Sequence, residues 1–327
     1  MTNPTGGSKG NPGYVIGVDI GGSNLRVALA DMKGNVLGKR SASTKETSSP
    51  EMIVEKIRDA AEQLLQENSV SAGSLLAVAA GAPGITDADS GLVIATSFLK
   101  GWRDVPLRSL LESALGAPAA VENDVRIAAI GENWLGSARG VRNFVFLAIG
   151  TGIAAGIFVD GKLLHGPDWA AGEVGYMHVP GTPEAPAQRG APGSLESTIG
   201  GDGIREQWRH RCVDAGISPS RELSATEIFE LAHTGDAHAA NVLNRSAQML
   251  GCAVYNISLV LNSTLFVLGG GVGMSEPLRE ATQRFLDCYI EPAPPKLIIS
   301  SLGQDAQLMG AIRLALKTAE SRSEVRA

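Results

Sequence analysis

The sequence predicts an α/β protein of two lobes, because one structural idea occurs twice along its 327 residues. Residues 14–20 form an apolar run, followed by Gly21-Gly22-Ser23 and a second run at 24–30. The turn Asp31-Met32-Lys33-Gly34-Asn35 then leads into Val36-Leu37. Residues 144–149, Gly150-Thr151-Gly152, 153–159, Asp160-Gly161-Lys162 and Leu163-Leu164 repeat that order. Each copy reads strand, glycine turn, strand, glycine-containing turn, strand. The length agrees, being long for one core and comfortable for two.

Taken in order, residues 1–13 are polar and rich in Gly, Asn and Pro, so a flexible tail without a secretory signal is expected there. After the first meander come an amphipathic helix over 50–68, a strand over 75–80 and the loop Gly81-Ala82-Pro83-Gly84. A strand over 119–121 runs into Glu122-Asn123-Asp124, which opens a helix to about residue 135. The second meander is followed by a loop-rich stretch from 169 to 203 and by helices to 262. A strand over 264–268 then ends in Gly269-Gly270-Gly271, a helix starts near Ser275, and the last helix is expected from about 305 to 317. The expected division is a small N-terminal lobe of 14–124 plus 305–327 and a large lobe of 125–304.

Duplicated lobes with a glycine turn at each first hairpin suit a clamp on a triphosphate. Backbone N–H groups of such a turn reach phosphate oxygens because no Cβ intervenes. This layout is the two-lobed actin-like ATPase fold of sugar kinases, Hsp70 and actin, with ribonuclease H-like lobes.

Composition narrows the function classes. The net charge of −6 and the acidic balance of 34 Asp and Glu against 28 Lys and Arg argue against a nucleic-acid surface. The longest uncharged run, 144–159, is too short for a bilayer span and is broken by glycines. No membrane association is expected, and the location expected is cytoplasmic. Cys212, Cys252 and Cys288 show neither pairing nor metal spacing and read as buried thiols of a reducing compartment.

Asp19 closes the first strand beside the Gly21-Gly22-Ser23 turn. A carboxylate there suits Mg²⁺ held through water, with the glycines near the transferred phosphate; an ordinary tight hairpin is the alternative. The second copy carries Ala148 at the equivalent place, so the hairpin itself does not require the acid. Gly150-Thr151-Gly152 meets a loose dinucleotide pattern, but that pattern needs a following helix, and Gly156-Ile157-Phe158-Val159 is strand-like. A second phosphate turn is preferred. Gly269-Gly270-Gly271 forms a loop on which an adenosine could lie flat, or a plain strand-to-helix connection.

Glu122-Asn123-Asp124 stands at a strand's carboxyl end, where α/β proteins place chemistry. A hydroxyl nucleophile must lose its proton as the phosphoryl group arrives, and a carboxylate within about 3 Å accepts it. Asn123 beside it offers donor and acceptor atoms to a sugar hydroxyl, while Asn or Asp before a helix is equally an N-cap. In Ala171-Gly172-Glu173-Val174-Gly175-Tyr176-Met177-His178, an extended backbone would put Tyr176 and His178 on one side. A structural histidine is the commoner reading of His178.

Together these segments resemble the ROK family of bacterial sugar kinases and sugar-responsive repressors. The matches run in order through nearly the whole chain: Asp19-Ile20-Gly21-Gly22, Pro83-Gly84-Ile85-Thr86-Asp87, Gly101-Trp102, Glu122-Asn123-Asp124, Gly131-Glu132, Gly150-Thr151-Gly152, Ala171-Gly172-Glu173, Leu268-Gly269-Gly270-Gly271, Asp305-Ala306 and Gly310-Ala311. The resemblance implies ATP with Mg²⁺, Asp124 as general base, and sugar hydroxyls bound by Asn123, Glu173 and Glu196, with Gly84 approaching through its backbone. It also implies a homodimer and transfer to a primary hydroxyl, usually at C6 of a hexose.

Departures from the family gather on the sugar side. The family's zinc-binding His and three Cys correspond here to Tyr176, Ala187, Arg189 and Ser194, so zinc is expected to be absent. Tyr176, with His178, is expected to replace that histidine at the sugar. Thr96-Ser97-Phe98 replaces an Ala-Pro-Asn common in glucose-specific members, and Arg126 follows Asp124 closely. A hexose is the expected acceptor, with an amino sugar or a cyclitol as alternatives. A non-catalytic sugar sensor remains an alternative, and a repressor's helix-turn-helix would not fit in thirteen residues before the first strand.

Overall fold

The computed structural model describes residues 13–45, 49–185, 191–217 and 221–326. The expected tail, Gly13 apart, lies outside them. The chain divides into two compact units, Met1–Ile127 with Gln307–Ala327, and Ala128–Ala306.

The first unit is built on β1 (Tyr14–Ile20), β2 (Asn24–Asp31) and β3 (Val36–Ser43), followed by α1 (Pro50–Glu67) and β4 (Leu75–Ala82). Three short strands come next, β5 (Ile85–Asp87), β6 (Leu92–Ala95) and β7 (Arg103–Val105). Then follow α2 (Leu107–Leu115), β8 (Ala119–Asn123) and the start of α3 (Asp124–Trp134). The main sheet has the order β3-β2-β1-β4-β8. Its meander is antiparallel, whereas β1, β4 and β8 run parallel. That direction brings the carboxyl ends of three strands to one edge of the sheet.

Local chemistry accounts for the helices. Ser49 caps α1 by accepting from the Met52 N–H, and Pro50 occupies the first turn, where its missing donor costs nothing. Ile53, Val54, Ile57, Ala61, Leu64 and Leu65 recur at helical spacing and are buried. With Ile16, Val18, Ile20, Leu29, Val78 and Val121 they form the core of this unit.

The second unit repeats the plan with β9 (Phe144–Ile149), β10 (Ile153–Val159) and β11 (Lys162–Leu163). Its helices are α4 (Glu196–Ile199), α5 (Gly201–Asp214), α6 (Ala225–His233) and α7 (Ala237–Leu261). β12 (Leu265–Gly269), α8 (Gly270–Gly273), α9 (Glu276–Leu286) and β13 (Lys296–Ile299) complete this unit, and α10 (Ala306–Arg326) belongs, from Gln307 on, to the first. The sheet order, β11-β10-β9-β12-β13, is that of the first unit. The repetition thus extends past the meanders to two parallel strands in each unit. Val145, Leu147, Phe266, Leu268, Ile228, Phe229, Leu250 and Val254 anchor the second core.

Some expectations need correction. The last helix continues to Arg326, well beyond residue 317, since no Gly or Pro interrupts it after Gly310. The three cysteines are free but not uniformly buried: Cys212 is buried, Cys252 half-buried and Cys288 exposed. Burial pushes the Cys212 and Cys252 thiols up. Among the described residues no helix is long and apolar enough to cross a membrane.

Candidate functional site

In the first unit the parallel strands align the predicted residues by register. Asp19 pairs with Gly81 and Gly81 with Glu122, while Ala82 pairs with Asn123. At ordinary strand spacing this sets the Asp19 and Glu122 backbones roughly 10 Å apart across the sheet edge. The Gly21–Ser23 turn continues β1, Gly84 follows β4, and Asp124 follows β8, so all three chain segments leave the same edge.

Asp19 is buried at 7% exposure, and its Oδ2 accepts from both Nε and Nη2 of Arg26, at 2.8 and 2.6 Å. Arg26 lies directly across the hairpin from it. Burial raises the Asp19 pKa above the usual carboxylate range, while the Arg26 charge and hydrogen bonds pull it back. The sequence reading missed this pair, although a tight hairpin makes partners of positions 19 and 26. The turn itself is fixed by Gly21 N–H donating to the Asn24 carbonyl at 2.8 Å, and by Thr44 Oγ1 donating to the Gly21 carbonyl at 2.9 Å. Gly22 and Ser23 are exposed. A hard cation prefers oxygen ligands, and a single carboxylate already shared with a guanidinium suits attachment through water.

Asn123 is fully engaged. Its Nδ2 donates to the Gly84 carbonyl at 2.9 Å and to Asp124 Oδ1 at 3.0 Å, and its Oδ1 accepts from the Val125 and Arg126 N–H groups at 3.0 Å. An amide side chain offers two hydrogens and two lone pairs, so Asn123 serves as cap and clamp. A sugar hydroxyl would have to displace one of these bonds. Asp124 is half-buried on the first turn of α3, its Oδ1 also accepting from the Val125 N–H at 2.9 Å. Gly84 has φ +95°, and a Cβ there would fall 2.2 Å from the Ala95 carbonyl oxygen, so the loop between β4 and β5 admits only glycine.

Arg126 is buried. Its Nε donates to Glu122 Oε1 at 2.8 Å and its Nη2 to the Thr86 carbonyl at 2.9 Å, both side chains being nearly inaccessible. It is a strut between α3 and β5.

In the second unit, Gly150-Thr151-Gly152 forms the turn between β9 and β10, with Gly150 N–H donating to the Gly152 carbonyl at 2.9 Å. The Gly201 N–H donates to the Gly150 carbonyl at 2.8 Å, which joins this turn to the start of α5. The Gly200-Gly201 pair was visible in the sequence but lay inside a stretch read only as loop. Gly269-Gly270-Gly271 is not an open loop. Gly269 ends β12, and Gly270 and Gly271 enter the short helix α8. A Cβ on Gly269 would lie 2.4 Å from the Phe146 ring and one on Gly270 2.4 Å from the Ile149 carbonyl oxygen, whereas Gly271 faces open space. Two of the three glycines are therefore set by packing.

Glu173, Tyr176 and Glu196 come together near the start of β10. Glu196 Oε2 accepts from the Ile153 N–H at 2.8 Å. The Tyr176 hydroxyl is pushed above its ordinary pKa by burial and then by the charges of Glu173 and Glu196, so it stays a donor at neutral pH. His178 is exposed. Residues Val174–Tyr176 form a 3₁₀ turn rather than a strand, and Met177 after it is extended. The His178 ring contacts the Pro183 carbonyl through Nδ1 at 3.0 Å and Ser194 Oγ through Nε2 at 3.4 Å.

Of the four positions compared with zinc ligands, Tyr176 and Ser194 are described, and neither is a thiolate or imidazole. Ala187 and Arg189 lie outside the described residues. Among the described residues no three His, Cys, Asp or Glu side chains converge as a metal site.

Comparison with known proteins shows the family. The family model of the ROK family matches residues 15–318. A glucokinase of Halalkalibacterium halodurans is 31% identical over 313 residues, covering 91% of this chain and 93% of its own. A xylose repressor of Caldicellulosiruptor bescii is 26% identical, covering 93% of this chain and 78% of its own. A ROK family glucokinase from Streptomyces griseus, solved with glucose and AMPPNP, superposes with a TM-score of 0.76 at 25% identity. That match covers 93% of this chain and all of that one.

Proposed function

The chain belongs to the ROK family, and from that premise we propose that it is an ATP-dependent kinase for a sugar or sugar-like polyol. The observation that carries this reading is Asp124, whose carboxylate is held by Asn123 at the mouth of α3 beside the Gly84 loop. The acceptor's O–H gives its proton to Asp124 as its oxygen bonds to the γ-phosphorus. The bond from that phosphorus to the β,γ-bridging oxygen breaks, and ADP leaves with the electron pair.

Asp19, Gly21, Gly22 and Ser23 are assigned to the transferred phosphate, Gly150, Thr151 and Gly152 to the remaining phosphates, and Gly269, Gly270 and Gly271 to the adenosine. Asp19 would hold Mg²⁺ through water; when bound, Mg²⁺ neutralises charge on the phosphate oxygens. Glu173, Glu196 and the Tyr176 hydroxyl are assigned to acceptor hydroxyls, and Gly84 to a backbone contact. Asn123 acts by fixing Asp124. His178 receives no substrate role, because its ring is committed to Pro183 and Ser194. A hexose phosphorylated at its primary hydroxyl is the leading acceptor, with amino sugars and cyclitols as alternatives. A cytoplasmic homodimer without zinc completes the proposal.

A sugar-binding regulator without catalysis is the second reading, favoured by the similarity to a xylose repressor. ADP release measured across hexoses, amino sugars and cyclitols separates the two. Acceptor-dependent ADP is expected, and Asp124→Asn should lower kcat by roughly 10²-fold or more. Acceptor binding without ADP release would favour the regulator.

A further inference from the structure

Phe98 is exposed at 50%, an unusual state for a large aromatic side chain whose neighbours are fixed. Leu99 and Trp102, which follow it, are each only 2% exposed and belong to the first core, so this loop is pinned. On the other side Phe98 N–H donates to Thr96 Oγ1 at 3.1 Å. Thr96 in turn packs against Gly84: a Cβ placed on Gly84 would lie 2.6 Å from Thr96 Cβ. A Cβ placed on Gly22 would lie 3.4 Å from the Phe98 Cβ and carbonyl oxygen and 3.9 Å from its ring Cδ1. The phenyl group therefore packs beside the first glycine turn, while Thr96 of the same loop packs against Gly84, whose carbonyl carries the Asn123–Asp124 clamp.

Single exposed apolar residues are common and mean little. Phe98 differs in place, since it adjoins the turn assigned to the phosphate and is joined by its N–H to Thr96, which touches the Gly84 segment assigned to the acceptor. A ring there offers no donor or acceptor. An acceptor hydroxyl pressed against it would lose its water without a replacement partner, which is unfavourable, while a C–H surface or acyl methyl group would gain contact.

We propose that Phe98 is a specificity-determining wall of the acceptor site, selecting a sugar or cyclitol that presents a deoxy carbon or an N-acyl group, rather than a hydroxyl, at that position. This rests on the kinase reading for the location of the acceptor. The test compares wild type with Phe98→Asn, Phe98→Ala and Phe98→Leu. The acceptors are glucose, its 2-, 3- and 4-deoxy forms, N-acetylglucosamine and N-acetylmannosamine. Turnover is followed by ADP release and binding by calorimetry.

Wild type should prefer at least one deoxy or N-acyl acceptor over glucose. Phe98→Asn and Phe98→Ala should reduce that preference about tenfold, the scale on which apolar contacts discriminate. Phe98→Leu should keep most of it, and the KM for ATP should not move. Preference ratios unchanged within about twofold in both Asn and Ala variants would overturn the assignment of Phe98. So would a wild type that favours glucose throughout. Phe98-dependent binding without turnover would instead overturn the kinase reading and leave the wall in place, whereas neither binding nor turnover would overturn both.

Discussion

At the scale of single residues, the chemistry rests on side chains fixed by neighbours that do none of it. Asn123 spends its amide on Gly84, Asp124 and the first turn of α3, and Arg126 ties that same turn to Thr86 and Glu122. The Glu122–Arg126 pair is almost wholly buried, with side chains 5% and 3% exposed. Breaking such a pair from one side leaves a charge stranded, at a cost of about 3–5 kcal/mol. Arg126→Met should therefore lower unfolding free energy by that order in urea titration, while Glu122→Gln combined with Arg126→Met should recover part of the loss. A single variant as stable as wild type would show that the pair is not a strut. The capping alternatives were legible here from Asn and Asp before a helix. Arg126's partner was not, because Thr86 lies forty residues away and meets it only through the sheet.

At the scale of elements, helix boundaries follow caps. Ser224 and Glu227 form a reciprocal capping box on α6, and Arg221 adds a hydrogen bond to Glu227 at 2.6 Å. Ser224→Ala should cost about 1 kcal/mol. Those bonds, with Arg221 first and the Ser224 backbone and hydroxyl next, lower the Glu227 pKa from 4.5 to about 2. The sign follows from linkage. A carboxylate whose folded pKa is depressed adds stability that is full above its unfolded value and fades as pH falls toward the folded one. The stability gap between wild type and Glu227→Gln should thus be complete at pH 6 and shrink steadily from about pH 4.5 to pH 2. A gap independent of pH would contradict the assignment. The same scale explains why 174–176 is not a strand: Gly172 at φ +96° and the short 3₁₀ helix Val174–Tyr176 turn the chain ahead of Met177, and alternation along a strand says nothing about a 3₁₀ turn.

At the scale of the whole molecule, the repeated meander was the most legible feature, because glycine turns and period-two runs are local signals. What stayed hidden was the common sheet order of the two units, which needs the parallel pairings β1–β4–β8 and β9–β12–β13. Parallel neighbours are joined by long connections and leave no short-range mark. The small β5-β6-β7 sheet was likewise missed, since its strands are three to four residues long. Gly131-Glu132, noted in the sequence without a role, proves structural. Glu132 is inaccessible, accepting from the Ser137 N–H at 2.7 Å and from the Ser300 hydroxyl. Of the candidate site, Asp19, Gly84, Asn123 and Asp124 were readable as strand ends and turns. Phe98 was noted only as a departure on the sugar side, and Arg26 was not read at all, as its meaning comes from what lies across the hairpin.

The central claim is phosphoryl transfer to a carbon-borne hydroxyl, and phosphorus NMR of a reaction with ATP, Mg²⁺ and the acceptor panel tests it most directly. The account predicts a sugar phosphate monoester growing in step with ADP for wild type, and nearly none for Asp124→Asn. ADP accompanied only by inorganic phosphate, or a monoester formed equally fast by the Asp124→Asn protein, would contradict it.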